Sequence, residues 1–504
     1  GAVGVQVNDL NAKFTNNKDG NIKVAEGSQG IQINKGTAIN EGNILTEGTN
    51  AVGIYMNAAE QKDSKGNTKK DENGNILYEK AEFTNNNQIV ASGTGAKGIQ
   101  FGAGGGTATN KGDIIAENGA IGVFFYQGTN NILINSGIIN AGENGSAIES
   151  GKDTNNAVIL QKGSKITGKI KGNNGIDVLA LDGGTHSKLN VSDYEKIVAK
   201  SGDSKIENST ISLGFKEGTD KYISENIGKA EGNVTIADSK LIIDLANKTE
   251  NSTGLISGQT ILDGNIKLAF NGAKGQKEFN VNEILNKDID FSKANFGSSA
   301  MWDYTTENGD LIAKKKSYTE AVGKSQLEDF GKALEQSENG KIEDGDFKTG
   351  LTLLGLLDAS QFTDAMTQLS GGVHGYTVDF AAINSRTLSN TIKNRELSKD
   401  RLRDKALNSY DQEVAYINNH HKLGGLMNVD YNEDGVLGML ENSFYWLVAM
   451  GMMAMMTMKG NEMAQTLISG VTSFGDSSEL VRNAREGLQK TLSTASGAYK
   501  GTAK

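Results

Sequence analysis

Cysteine and proline are both absent from this chain of 504 residues. Without cysteine there is no disulfide framework, no zinc ribbon and no thiol nucleophile. That absence does not fix a reducing compartment, because a chain exported unfolded also gains from carrying no disulfides. A chain of this length at average composition has roughly 25 prolines, so having none is a compositional signature in its own right. No excess of basic charge exists either. The net charge is −10 with both signs interspersed, which excludes the electrostatic footprint of a nucleic-acid binder and predicts no nucleic-acid partner. The opening GAVGVQVNDL has no basic n-region and no apolar h-region of signal-peptide length, and it reads as starting in mid-pattern, as if cut from something longer.

What the chain does have is glycine, 64 residues or about one in eight, and a repeat. TNKGDIIAENGAIGVFF begins at Thr109, TNNNQIVASGTGAKGIQF at Thr84 and INSGIINAGENGSAIES at Ile134, two spacings of 25 residues. INEGNILTEGTNAVGIYM begins at Ile39, one period plus 20 residues before Thr84, and the charged stretch QKDSKGNTKKDENGNILYEK at residues 61–80 accounts for the excess. FTNNKDGNIKVAEGSQGIQI carries the phrase one period earlier. Each unit holds two or three short alternating apolar runs separated by Gly, Asn and Asp turns. Such strands bury an apolar face only when stacked on neighbours, and a period of 20–50 residues marks solenoids. β-Branched and aromatic enrichment without helical periodicity favours strands. The expected fold is mainly β: a right-handed parallel β-helix solenoid over residues 1–313, with coils of about 25 residues. An asparagine at one position of every coil predicts a stacked ladder inside a turn. In the Thr109 unit, the three glycines are expected at turns, with Ile114, Ile121 and Val123 in the core. From residue 200 to 313 the phrase decays, although strand–turn–strand segments such as GNVTIADSKLIIDLANK persist.

After Ala313 the pattern becomes helical. Leu351, Leu354, Leu357, Phe362 and Met366 fall roughly at helical intervals, and Gly371–Gly372 reads as a stop. A long helical stretch follows from Thr377 to Tyr410, with Lys393, Arg395, Lys399, Arg401, Arg403 and Lys405 interleaved with Glu396, Asp400 and Asp404. By itself this is a solvated or pore-lining helix with i,i+4 pairs.

A Gly/Asn-rich β-helix, then DAMTQLSGGVHGYTVDFAAINSRTLSNTIKNREL, then a polar helix resembles the C-terminal part of a type Va autotransporter, of the large fusobacterial adhesin type. Leu369, Ser370 and Gly371 match the family's junction phrase, and Arg386 and Arg395 the spacing of its helix arginines. The resemblance implies a passenger β-helix at 1–313, a helical junction at 314–373, a pore-type helix at 374–410 and the first translocator hairpin at 411–442. It implies a protein of the cell outer membrane and cell surface, with a host or bacterial surface receptor (protein or glycan) as partner. The membrane partner would be reached through the translocator and the barrel-assembly machinery. The pattern then breaks. A translocator barrel of about 12 strands needs about 250 residues, and 94 follow Tyr410. Residues 443–504 stay unassigned: FYWLVAMGMMAMMTM at 444–458 does not alternate and falls short of the about 20 apolar residues that span a bilayer.

No residue is assigned a catalytic, cofactor-binding or metal role, although several patterns invite one. DYNEDGVLGMLE, from Asp430 to Glu441, has calcium-loop spacing, but Gly424–Gly425 interrupts the segment before it and Gly438 stands at position nine. GNNGIDVLA, from Gly172 to Ala180, is near a calcium-binding coil repeat but occurs once, with Asn173 in a glycine position. His186, His374, His420 and His421 form no HExxH pattern. FGDSSEL at 474–480 lacks the glycine after Ser477 that a serine-protease oxyanion hole needs. Asp177 and Asp182 are five apart, on opposite faces of a continuous strand. The expected function is therefore an adhesin stalk and not an enzyme. The rivals are a carbohydrate-active β-helix enzyme, which needs paired carboxylates and basic residues collected on one face, and a phage tail fibre, which should trimerise.

Overall fold

The computed structural model describes residues 1–370 except 73, 272–276, 298, 324, 326 and 340–344. It has two compact units, Gly1–Ser317 with Gly355–Ala359, and Tyr318–Leu354 with the described residues from Ser360 on. The expected pore-type helix, the translocator hairpin, the apolar segment and the calcium-loop pattern at Asp430–Glu441 lie outside the described residues, as do Gly371–Gly372.

The first unit is mainly β, a parallel β-helix in which each early coil contributes one strand to each of three parallel sheets. The repeat alignment is the hydrogen-bond register. Ile39 pairs with Thr84, Thr84 with Thr109 and Thr109 with Ile134, so the 20 extra residues before Thr84 leave the stacking unshifted. Like side chains therefore stack. In the first sheet Ile31, Ile54, Ile99, Val123, Ile148, Ile170, Val191, Ile211, Leu241 and Leu268 form one in-register aliphatic column, all buried. In the third sheet Ile22, Ile44, Ile89, Ile114, Ile139 and Ile166 form a second column, buried except for half-buried Ile22. Burying each such side chain contributes about 1.5–3 kcal/mol before the entropy of ordering is subtracted.

At the turn from the second to the third strand of each coil runs the expected asparagine ladder. Nδ2 of Asn16 donates to Oδ1 of Asn40 at 2.8 Å, Asn40 to Asn85 at 2.8 Å, Asn85 to Asn110 at 2.8 Å and Asn110 to Asn135 at 2.7 Å. Asn135 closes the run on Ser164 Oγ at 2.6 Å. The same amides reach backbone carbonyls, Asn40 to Gln88 at 3.2 Å and Asn110 to Ile138 at 3.1 Å. Buried amides are costly unless paired; stacked in register, each satisfies the next.

Two details depart from the sequence reading. Ile121 is half-buried on the outer side of its strand Ile121–Phe125, while Ile114 and Val123 are fully buried. Gly122 is not a turn residue but lies within that strand, and a Cβ there would meet the Ala147 carbonyl at 2.5 Å. Gly30, Gly53 and Gly98 occupy the same column, and a Cβ on each would lie 2.6 Å from the next glycine's carbonyl oxygen. The column becomes Ala147 where the following strand has one residue fewer in register.

Stacking continues through Asp290–Asn295, but the later coils are built differently. The asparagine position becomes Leu160, Leu181 and Ala199. The second sheet is then apolar on its outer side too, and a helix that the sequence reading missed, α1 (Thr219–Asn226), covers it. Tyr222, Ile223 and Ile227 pack with Ala157, Ile159, Ile176, Val178, Ala180 and Val198. Buried Lys196 ties the helix down, donating to Asp220 Oδ1 at 2.6 Å and Thr253 Oγ1 at 2.7 Å. At the far end, Glu278–Asn280, Trp302–Glu307 and Asp310–Lys315 form an antiparallel sheet. Its Phe279 and Trp302 rings lie 5.1 Å from Phe270 of the coil Lys267–Asn271, so aromatic packing covers the exposed end of the aliphatic columns.

The second unit is helical, with Tyr318–Val322, Glu328–Asn339, Gly345–Leu354 and Ala359–Leu369. Leu351, Leu354, Phe362 and Met366 are buried. Leu357 lies between helices, its carbonyl accepting from Ala300 N at 3.0 Å. Among the described residues no helix is long and apolar enough to cross a membrane.

Candidate functional site

Since the inward positions are spent on the core, chemistry is available only on outer faces, at the insert, or in polar clusters at turns. The outer face of the first sheet is the most differentiated. Its outward residues, coil by coil, are Gln6, Gln32, Tyr55, Gln100, Phe124, Glu149 and Lys171. Tyr126, just past the strand, is 47% exposed and its ring lies 5.8 Å from that of Phe124, tilted 39°. Lys97 Nζ stands 5.8 Å over the Phe124 ring, a cation–π arrangement. Burial pushes the Lys97 ammonium down, with Glu149 opposing. The Tyr55 phenol is pushed up by burial and then by Tyr126. Gly102 leaves space that the Tyr55 side chain uses: a Cβ there would sit 2.6 Å from Tyr55 Oη and 2.6 Å from Asn57 Oδ1. The result is an aromatic strip on the outer face, Tyr55, Phe124 and Tyr126, with Gln100 between the first two.

The 61–80 insert leaves the solenoid at the corner following Val52–Met56. Its three limbs pair. Gln61 N donates to Leu77 O at 2.8 Å, Lys69 N to Gln61 O at 2.9 Å and Leu77 N to Lys69 O at 3.0 Å. Two turns of the same chemistry shape it, with Asp63 accepting from Asn67 N and Asp71 from Asn75 N, each at 2.8 Å. A Lys35–Glu79 ion pair of 3.1 Å stands at its base.

The second cluster is internal. Where the asparagine ladder ends, a shorter one runs from Asn131 to Asn156 at 2.8 Å and on to Asp177 Oδ1 at 2.5 Å. Ser150 donates to the same oxygen at 2.9 Å, and Asn173 donates its backbone N and Nδ2 to Oδ2, both at 2.9 Å. Glu195 of the next coil accepts from Asp177 N. Burial pushes the Asp177 carboxyl up to about 7 against these donors, and pushes Glu195 up to about 9, the Asp177 N–H opposing and the Asp177 charge adding to it. The enclosed Tyr194 phenol is also raised by burial.

Asp177 is fully buried, and its four donors account for its carboxylate without a cation. Asp182 faces outward, accepting from Gln161 at 3.0 Å and from Ser201. The structure thus brings Asp177 to Glu195 and not to Asp182. His186 is buried alone and its imidazole pKa lowered by burial. Among the described residues no cluster of His, Asp or Glu forms a metal-binding group. His374, His420, His421 and Ser477 lie outside the described residues. Tyr55, Phe124, Tyr126 and Glu195 escaped the sequence reading. The signal for the first two was the variable residue after the inward aliphatic in G-I-Y-M and G-V-F-F.

These features define a parallel β-helix solenoid with an aromatic strip on its outer face and a buried acidic cluster. Comparison with family models, curated proteins and solved structures finds no match.

Proposed function

We propose that this chain is the distal passenger and junction of an autotransporter-type surface protein, acting as an adhesin stalk anchored to the outer membrane. The observation that carries this reading is the parallel strand-on-strand stacking that runs from residue 3 to residue 295. Stability in such a stack is close to a sum over neighbouring coils, which suits a stiff extension. Outward positions of the first sheet carry amides and rings with few charges, consistent with an interaction surface and with no nucleic-acid partner. The partner would be a host or bacterial surface receptor, and the junction would lead to a translocator placed by the barrel-assembly machinery.

The test is exposure on intact cells carrying the full gene. Antibody against the 61–80 insert should label them, and external protease should remove the label. Labelling only after lysis would reject a cell-surface protein. A carbohydrate-active enzyme is the second reading, favoured by two carboxyl groups from adjacent coils with pKa values pushed upward. Against it stands the complete burial of Asp177. Product release from polysaccharide by the purified chain, abolished in Glu195→Gln, would establish the enzyme instead.

A further inference from the structure

We infer that the outward strip Tyr55, Gln100, Phe124 and Tyr126 binds an uncharged glycan chain laid along the solenoid axis. The inference rests on the surface-binding reading and names its ligand class. Tyr55 and Phe124 occupy the same outward position two coils apart, with Gln100 between them. Successive strands are about 4.8 Å apart, so ring, amide and ring repeat at a rise close to the advance of one pyranose in an extended chain. Aromatic faces stack on the C–H faces of sugars, while the Tyr hydroxyls and the Gln amide match sugar hydroxyls. Tyr126 lies beside Phe124 and is the most accessible ring.

Charge selects the class of glycan. Lys97 over Phe124 and Lys171 farther along bracket Glu149 in the column, so the strip carries mixed signs and no run of one charge for a sulfated or uronic-acid polymer. A peptide strand adds to a sheet edge through free backbone groups, whereas here the backbone is already paired in the stack on both sides. An amphipathic helix needs an unbroken apolar groove, and Gln100 interrupts this one.

The full chain is titrated by calorimetry with cello-, chito-, manno- and galacto-oligosaccharides, with heparin and polysialic acid as charged controls. At least one uncharged series should bind, with affinity insensitive to salt. Tyr126→Ala and Phe124→Ala should each weaken binding about tenfold, a loss of about 1.4 kcal/mol. Tyr126→Phe should retain most of it, and Ile115→Ala on the third sheet should change nothing. Tyr126 is solvent-exposed, so its replacement leaves the fold intact, checked by an unchanged melting curve. Failure of every uncharged series, preference for heparin, equal binding by the ring variants or cleavage of the oligosaccharide would each overturn the proposal. Binding in solution is independent of export, so loss of cell-surface labelling and loss of glycan binding are separate results.

Discussion

Coils between residues 29 and 150 and those between 155 and 271 share the same aliphatic column in the first sheet yet close the coil in different ways. In the earlier set the turn position is Asn40, Asn85, Asn110 and Asn135, an amide ladder that satisfies itself. In the later set it is Leu160, Leu181 and Ala199, and the second sheet is buried on both faces beneath α1. One solution needs identical residues in successive coils; the other needs a separate element supplied from elsewhere in the chain. An amide is cheap inside a solenoid only if its neighbours are amides too. A leucine there requires nothing of the neighbouring coils, but here it accompanies an apolar outer face that must be covered.

The strongest way to break the comparison is Asn110→Leu. It removes the acceptor for Asn85 and the donor to Asn135 and to the Ile138 carbonyl. A loss of about 2–5 kcal/mol is expected, read from denaturant midpoints. Hydrogen exchange should quicken in residues 81–140 and stay unchanged beyond residue 176; uniform quickening would mean the two sets are one cooperative block. Next in size is Ile223→Asp, which places a carboxylate over Val178 and Val198. It should cost about 2–4 kcal/mol and show the reverse exchange pattern, with the later coils opening and the asparagine ladder protected.

A milder contrast comes from pH. Asp177 and Glu195 have folded-state values of about 7 and about 9, above the ordinary 3.8 and 4.5. The folded state therefore holds more protons than the unfolded chain between those limits. The stabilisation from the neutral carboxyls is complete below the ordinary values, declines as pH rises, and is gone above the Glu195 value. The melting temperature of the later coils should fall from pH 5 to 9; Asp177→Asn should reduce that slope, and Asp177→Asn with Glu195→Gln should flatten it. A slope that persists in the double variant would assign it to other groups. Smallest of all is Lys97→Ala, on the solvent side of the early coils. Its effect on stability should stay within about 0.5 kcal/mol, and a larger change in unfolding midpoint would mean that the lysine packs as well as faces solvent.

Some of this was legible in the residues. The spacing of Ile39, Thr84, Thr109 and Ile134 gave the register itself, and the recurrent asparagine gave the ladder, because in a parallel stack equal position in the repeat means direct contact. Ile121 was misread since alternation back from Val123 places it inside. Gly122 adds a second consecutive buried position and breaks that alternation. The helix TDKYISEN escaped because eight residues are too few to form a helix from propensity alone; the apolar outer side of the second sheet makes it form.

The sequence by itself determined the coil, its period and its polar spine, because each of these is a local pattern repeated until neighbours match. Only the tertiary structure decided the rest. It set Tyr55, Gln100 and Phe124 in one outward column, Asp177 against Glu195, and α1 over a twice-buried sheet. Those groupings join residues from different coils through stacking, and no single repeat contains them.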